Sequence, residues 1–529
     1  MLTKHKGMQL KMHCCTIEEL MPQDHFLRDL DKVVDFDFVY DRVAHLYSTV
    51  GRPSIDPVIV VKILLLGYLY DIFSERKIMG EIQVNIAYRW FLGMDLDEPV
   101  PDHSTLSQLR RRKFNDSRLF EDVFDEIVKK CIKVGLVDGE LLLTDSTHVR
   151  ANAANGKRET ISVKQEPTAY MKKLDEMALA EGLIKEVSKP SGKTVEQVKS
   201  LTDPYCGLMN RPGKPKGFHY LSHQTVDGNR GIITDVFVTP GNVCDCVPHA
   251  ERLKYQMEKF GFRTKEVGAD AGYDVPEIHA EMFKLGIKTY IPEIEWHNQY
   301  VEQSYCVDAF TYDASNDIYI CPNNCLLRYR YFKKGQGQKV YCSRTSDCSA
   351  CPRHTKCIPG KMRYKRVVRP YQKTEYDLQH ENNETHRFQE VMRLRKIWCE
   401  GTFAHQKARH CLTRAKMRGI VQITGQCRLS ACAINLKRLL NWIKGNSKSF
   451  VALLLDYCFR YWPISPSYFA FCQLYDSFYP FCQQPRLEET PPEIGGVSFR
   501  FIRCPFTPGC FGCWCRCSAP PRAKERRRP

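Results

Sequence analysis

Two short apolar runs, far apart in the chain, each close on an aspartate. Leu141-Leu142-Leu143-Thr144-Asp145-Ser146-Thr147 reads as a central strand that delivers Asp145 to its end. Glu266-Val267-Gly268-Ala269-Asp270-Ala271-Gly272-Tyr273 repeats the design. Between them Phe218 to Val226 alternates, Asp227-Gly228 turns, and Gly231 to Thr239 returns, a β-hairpin pattern. Pro240-Gly241-Asn242 ends the hairpin, and a helix is expected from about Cys246 to Lys259. A helix over Pro276–Leu285 and a strand over Lys288–Pro292 follow the second aspartate. Strand, hairpin, helix, strand, helix, strand predicts an α/β fold: a mixed sheet with helices on its faces.

A third carboxylate stands on a different kind of element. The segment from about Thr385 to Thr413 is rich in helix formers. At 100° per residue, Lys396, Glu400 and Lys407 share one side of that helix. A carboxylate between cations suits a phosphate-and-metal site; it also suits an ordinary solvated face. Each aspartate likewise has a plainer reading as a turn or cap residue. Together the three define a chemistry. Phosphodiester cleavage at neutral pH needs charge on the transferring group neutralised and a weak oxygen nucleophile activated. Two Mg²⁺ or Mn²⁺ ions roughly 3.5–4 Å apart do both, and such hard ions take carboxylate oxygens. Asp145 would bridge the pair while Asp270 and Glu400 each take one ion.

Residues 1–135 read as a helical domain. Asp56-Pro57 is a cap followed by a first-turn proline, opening a core helix from Val58 to Tyr70. Further on, Arg110-Arg111-Arg112-Lys113 offers four consecutive cations for phosphate-backbone contact, or a solvated basic face. The whole chain carries 78 Lys and Arg against 61 Asp and Glu, a net +17, which favours a polyanionic partner, nucleic acid first. No export signal or membrane-spanning apolar run is apparent, so a cytoplasmic protein is expected, with no membrane partner.

The catalytic region would span 136–445 with two insertions. The first, about 152–215, is polar and Lys-rich, helical around Ala169 to Val187. The second, about 293–375, carries Cys321-x3-Cys325 and then Cys342-x5-Cys348-x2-Cys351-x5-Cys357. Cys342, Cys348, Cys351 and Cys357 are the first choice for a structural Zn²⁺, with Cys321 or Cys325 able to replace one; reduced thiols are the alternative. Residues 446–529 change composition, rich in Phe, Tyr, Pro and Cys, and read as an irregular tail outside the core.

The chain resembles bacterial insertion-sequence transposases with a DDE catalytic domain. The resemblance rests on Thr144-Asp145-Ser146-Thr147, Thr239-Pro240-Gly241-Asn242, Ala269-Asp270-Ala271-Gly272-Tyr273, Glu400-Gly401-x5-Lys407, Arg418-Gly419 and Asn435-Leu436-Lys437-Arg438. Gly51-Arg52-Pro53, Ser74-Glu75-Arg76, Tyr88-Arg89-Trp90-Phe91-Leu92-Gly93 and Pro101-Asp102-His103-Ser104-Thr105 resemble the helical domain that precedes catalysis in one branch. It implies a ribonuclease-H-like catalytic fold, cleavage at element ends, joining of a 3′-hydroxyl to target DNA, dimers or higher assemblies on DNA, and a nucleoid-associated bacterial enzyme. Asp145, Asp270 and Glu400 carry over as metal ligands, and Lys407 as a DNA-phosphate contact. The subgroup pattern Tyr-x2-Arg-x3-Glu-x6-Lys is only half kept, with Arg393 and Lys396 at its first two positions. A nuclease of the same fold and a non-catalytic zinc-containing DNA-binding protein remain the alternatives.

Overall fold

The computed structural model of the chain describes residues 14–461, apart from 49, 51–53, 115–116, 165–168, 188–193, 211–212, 214, 295–305 and 359–361. The Gly51-Arg52-Pro53 turn and the tail beyond 461 lie outside the described residues.

Local chemistry sets the helices of the first 135 residues. The Asp56 carboxylate accepts from the Val58 N–H at 2.7 Å, and Pro57 opens the helix Pro57–Leu69. Apart from half-buried Lys62, that helix is apolar around its circumference, so it is buried from Val60 to Leu69 and serves as the centre of the helical layer. Asp102 caps His103–Leu109 in the same way, from the Ser104 N–H at 2.8 Å. The long helix Ile420–Tyr461 packs on Pro57–Leu69, on Leu119–Lys133 and on the sheet. Leu65, Phe124, Leu143, Tyr220, Val236 and Leu436 therefore belong to one continuous core.

The main sheet is mixed. Its strands are β1 (Leu141–Arg150), β4 (Gly207–Met209), β5 (Gly217–Asp227), β6 (Ile233–Pro240), β7 (Glu266–Gly268) and β8 (Lys288–Tyr290). β5 and β6 form the expected hairpin, β5 pairs antiparallel with β1, and β7 and β8 continue beyond β1 in parallel. β1 does not end at Asp145. It runs on to Arg150, with Asp145 opposite Gln224 of β5. What ends near Asp145 is the neighbour: β7 pairs only with Leu141–Leu143, and the same edge of β1 next pairs at Arg150, with Arg414. Asp145 thus sits on a strand supported on one side and open on the other.

The 152–215 segment departs from its expected helical reading. It holds a helix, Ala169–Ala180, and also the two-stranded ribbon of β2 (Arg158–Lys164) and β3 (Thr194–Ser200). A separate antiparallel sheet follows β8, in the order β13-β12-β11-β10-β9: β9 (Thr311–Asp313), β10 (Ile318–Ile320), β11 (Leu326–Lys333), β12 (Gln338–Cys342) and β13 (Arg366–Pro370). Phe310, Tyr319, Leu327, Tyr341 and Val367 give it a small core of its own. Among the described residues no helix is long and apolar enough to cross a membrane.

Candidate active site

Asp145 and Asp270 reach the same place by different routes. Asp145 is presented from inside β1, its carboxylate accepting from the Ser146 N–H at 2.7 Å. Asp270 lies two residues past β7, where it caps the short 3-10 turn Ala271–Tyr273 by accepting from the Gly272 N–H at 3.0 Å. Because β7 lies beside the start of β1, leaving β7 early brings the cap to the open edge next to Asp145.

Glu400 arrives on a helix with an irregular turn. His386–Arg395 is α-helical, Lys396–Glu400 is a π turn, and Gly401–Arg409 resumes the α-helix. The expected single α-helical phase across Lys396, Glu400 and Lys407 is therefore broken, because a π turn takes more residues per revolution. The wider turn brings Arg395 and Glu400, five residues apart, onto one side. Arg395 donates to Glu400 Oε1 at 3.0 Å through Nη2 and to Asp145 Oδ2 at 2.9 Å through Nη1. One guanidinium spans the strand carboxylate and the helix carboxylate.

Packing fixes the π turn. Cys399 is buried and Trp398 lies against the hairpin end, where a Cβ on Gly231 would come 2.7 Å from Trp398 Cδ2. Arg438 donates to the Gly231 carbonyl and, at 2.7 Å, to Thr402 Oγ1, with its guanidinium 5.3 Å from the Trp398 ring centroid. Asn435 holds the adjacent Ile233 through both its N–H, at 2.9 Å, and its carbonyl, at 2.8 Å. On the other side a Cβ on Gly268 would stand 2.5 Å from Val391 Cγ1 and 2.9 Å from Leu143 Cδ2. The helix that carries Glu400 lies on the sheet between β7 and the hairpin.

The site is short of positive charge. Burial, then the charges of Asp270 and Glu400, push the Asp145 carboxyl up to about 6, although Arg395 and the Ser146 N–H pull the other way. Asp245, which sequence reasoning did not single out, joins the group: a Cβ on Gly272 would come 3.0 Å from Asp270 Oδ1 and 3.9 Å from Asp245 Oδ2. Tyr273 fills the space behind, buried, its hydroxyl acidity suppressed first by burial and then by Asp145, Asp245 and Asp270. Hard oxygen donors exceed local cations here, which is the donor set a divalent hard cation takes.

The remaining sequence candidates divide. Lys396 is exposed beside the π turn and Lys407 is half-buried on the next helix. Arg111 and Arg112 are exposed and Lys113 lies over the Tyr47 ring, 3.5 Å from its centroid. Arg110 is corrected: it is 3% exposed and paired with Glu75, so it faces the protein, not a ligand. The run begins a π segment, Arg110–Phe114, and its first member falls on the core side.

No disulfide joins any two of the described cysteines. Cys321, Cys325, Cys348, Cys351 and Cys357 line one small cavity with His354, whereas Cys342 lies outside its lining, at the end of β12. Cys321 Sγ accepts from the Asn323 N–H at 3.3 Å and the Cys325 N–H at 3.2 Å. The loop between β10 and β11 brings Cys321 and Cys325, the expected replacements, to the same cavity as Cys348, Cys351 and Cys357.

Residues 15–112 match the family described as a transposase domain (DUF772), and residues 320–440 match one described as a transposase DDE domain. None of the curated proteins compared with the chain matches it. Among solved structures the chain is similar to a piggyBac transposase synaptic complex with hairpin DNA, seen by cryo-EM. The identity is 9% and the TM-score 0.32, over 81% of this chain and 75% of that one.

Proposed function

We propose, on the premise that this chain is a DNA transposase of the insertion-sequence DDE kind, that Asp145, Asp270 and Glu400 are its catalytic carboxylates. The observation that carries the reading is the Arg395 guanidinium held between Asp145 and Glu400, with Asp270 close enough to raise the Asp145 carboxyl. The three acids come from a strand, a cap and a π turn, and they meet at the open edge of β1. The strand order β6-β5-β1-β7-β8, antiparallel up to β1 and parallel beyond it, supports a ribonuclease-H-like domain. Residues 1–135 are then its helical DNA-binding domain, 136–445 the catalytic domain, and the separate sheet of β9–β13 a Cys-rich insertion.

Asp145, Asp270 and Glu400 would hold Mg²⁺ or Mn²⁺, which when bound activates an oxygen nucleophile and neutralises charge on the transferring phosphoryl group. The protein's own part is to aim and to balance. β1 and the capped turn fix two carboxylates on rigid backbone, and the Trp398 contact fixes the third. Arg395 supplies a cation beside the scissile phosphate, and Lys396 and Lys407 place ammonium charges along the DNA backbone. Arg111, Arg112 and Lys113 extend that contact from the helical domain. The reaction is end cleavage followed by attack of the freed 3′-hydroxyl on target DNA, by an assembly of two or more chains. The cysteine cavity is read as a structural Zn²⁺ site, Cys348, Cys351 and Cys357 with Cys321 or Cys325.

The test is an oligonucleotide assay with the element's ends, scored for cleavage and for strand joining. Asp145→Asn, Asp270→Asn and Glu400→Gln are each expected to lower both by at least about a hundredfold while DNA binding in a gel shift persists. Cleavage without joining in the wild type selects a nuclease. Unchanged cleavage in any one variant removes that residue from the site.

A further inference from the structure

Beyond the catalytic acids lies a second cluster of ligand-type side chains, in which Asp274, His279 and His380 place donor atoms all within 4.8 Å of one another. Asp274 closes the 3-10 turn that Asp270 opens, His279 is on the helix Pro276–Lys284, and His380 ends the helix Lys373–His380. His279 Nε2 is 3.0 Å and His380 Nε2 2.9 Å from the same oxygen, Asp274 Oδ1. Asp274 Oδ2 accepts from the Ile294 N–H and the Tyr376 hydroxyl, both at 2.9 Å. Asp274 and His279 are buried, and burial depresses the basicity of His279. Burial works against the Asp274 charge too, but hydrogen bonds from His279, His380 and the Ile294 N–H outweigh it and hold that carboxyl well below the ordinary carboxylate range.

A hydrogen-bond chain behind His279 gives its Nδ1 an oxygen partner. Gln379 Nε2 donates to the Ile287 carbonyl at 2.8 Å, so Gln379 Oε1 is the acceptor. It accepts from the Thr289 N–H at 2.8 Å and the Thr289 hydroxyl at 3.1 Å. Gln379 Oε1 also accepts from Asn382 Nδ2 at 3.1 Å, and the Thr289 hydroxyl has a second acceptor in His279 Nδ1, 2.9 Å away; when it donates to Gln379, Thr289 Oγ1 accepts from His279 Nδ1. In that arrangement a neutral His279 turns the bare lone pair of Nε2 onto a carboxylate oxygen, whereas the other tautomer donates to it. The lone-pair arrangement is repulsive unless a cation stands between them. An imidazole whose Nδ1–H is anchored to an oxygen and whose Nε2 meets a carboxylate is how proteins prepare a metal ligand.

We propose that Asp274, His279 and His380 bind one borderline divalent transition-metal ion, Zn²⁺ by the chemistry of two imidazoles and a carboxylate. Ligand bonds of about 2.0–2.1 Å are compatible with donor atoms already this close. His380 must then offer Nε2 as a lone pair, which moves its proton to Nδ1. Nδ1 faces Asn383 Nδ2 across 3.4 Å, and that amide nitrogen also donates to the Ile291 carbonyl at 2.7 Å; metal binding therefore requires the Asn383 amide to turn, giving up the Ile291 bond so that Oδ1, which has no hydrogen-bond partner, accepts from His380. The ion would tie two helices to the turn whose first residue is Asp270, four positions before Asp274. It is a fastener for the active site and is separate from the ions at Asp145, Asp270 and Glu400.

The test uses the full-length protein, stripped with a chelator and reloaded with Zn²⁺ or Co²⁺ alone. One equivalent of Zn²⁺ is expected to survive the Cys348→Ser, Cys351→Ser double substitution and to be lost in His380→Gln and in His279→Gln. Loaded with Co²⁺, that equivalent gives visible ligand-field bands without the sulfur-to-cobalt charge-transfer absorption that cysteine ligands produce. His380 is the least buried of the three, so its variant is the one to compare for fold by circular dichroism. Equal Zn²⁺ content in wild type and a folded His380→Gln overturns the proposal. So does a wild-type Co²⁺ spectrum with thiolate-type bands only, a result that does not depend on any variant folding.

Discussion

Arg395 and Glu400 are five residues apart on one helix and yet share a hydrogen bond of 3.0 Å. An α-helix would place such a pair well off a common face; the π turn Lys396–Glu400 closes the gap. The same guanidinium reaches Asp145, 250 residues away in sequence, so one cation balances two carboxylates from distant elements.

If Asp145 and Glu400 hold divalent ions as proposed, Arg395 competes with those ions for the same oxygens. Arg395→Gln is expected to tighten Mn²⁺ binding, on the order of tenfold or about 1.4 kcal/mol, when followed by Mn²⁺ electron paramagnetic resonance. Cleavage should nonetheless fall, because the cation beside the scissile phosphate is gone. Weaker Mn²⁺ binding in the variant would mean that Arg395 organises the acids and does not compete.

Asp145 makes stability depend on pH in a stated direction. Its folded carboxyl titrates near 6, above the ordinary aspartate value of 3.8. Between those values the folded chain holds a proton that the unfolded chain has released, so the site destabilises progressively as pH rises from about 4 to 6 and then levels off. The penalty at neutral pH is on the order of 3 kcal/mol. Asp145→Asn in chelator is expected to raise the denaturation midpoint at pH 7 and leave it nearly unchanged below pH 4. In the wild type, divalent ions should supply the same rescue at pH 7.

Gly231 is a position without room for a side chain. It has φ +77, and an added Cβ would run into the Trp398 ring. Gly231→Ala is expected to cost about 1–3 kcal/mol from backbone strain alone. Its larger effect is to push the π turn off the hairpin, so cleavage should fall more than DNA binding does. Thermal melts and the cleavage assay together check this.

The basic run separates by burial. Arg111→Ala and Arg112→Ala are expected to weaken DNA binding of any sequence, and each to reduce the salt slope by about one. Arg110→Ala should instead lower stability, because Glu75 is left half-buried without its partner. Salt titrations of DNA affinity, set beside melting curves, distinguish the two classes.

Much of the fold was legible because its signals are local and periodic. The apolar run before Asp145, the alternation of Phe218 to Val226 and the Asp56-Pro57 cap each fix their element by chemistry confined to a few residues. The helix carrying Glu400 is legible from its composition, but its phase is not, because a π turn leaves no mark in the sequence. Arg395 was missed for the same reason. The apolar run Leu141-Leu142-Leu143 closing on Asp145 suggests a strand end there; pairing with β5 carries β1 onward regardless. The approach of Asp245 to Asp270, the gathering of Cys321 and Cys325 with Cys348, Cys351 and Cys357 around one cavity, and the meeting of Asp274 with His380 depend on how loops fold back, which no short-range pattern encodes.

The open edge of β1 is bounded at both ends, by β7 at Leu141–Leu143 and by the bridge of Arg150 to Arg414. The Arg150 N–H also donates to the Thr413 carbonyl at 3.2 Å, and the Ala415 N–H to the Arg150 carbonyl at 2.8 Å. The stretch from Glu400 to Thr413 is consequently a strut of set length, with an acid at one end and a strand bridge at the other. A single inserted or deleted residue there would rotate Glu400 by about 100° away from Asp145. Surface loops lengthen or shorten at little expense; in this span the residue count itself sets the geometry of the candidate site.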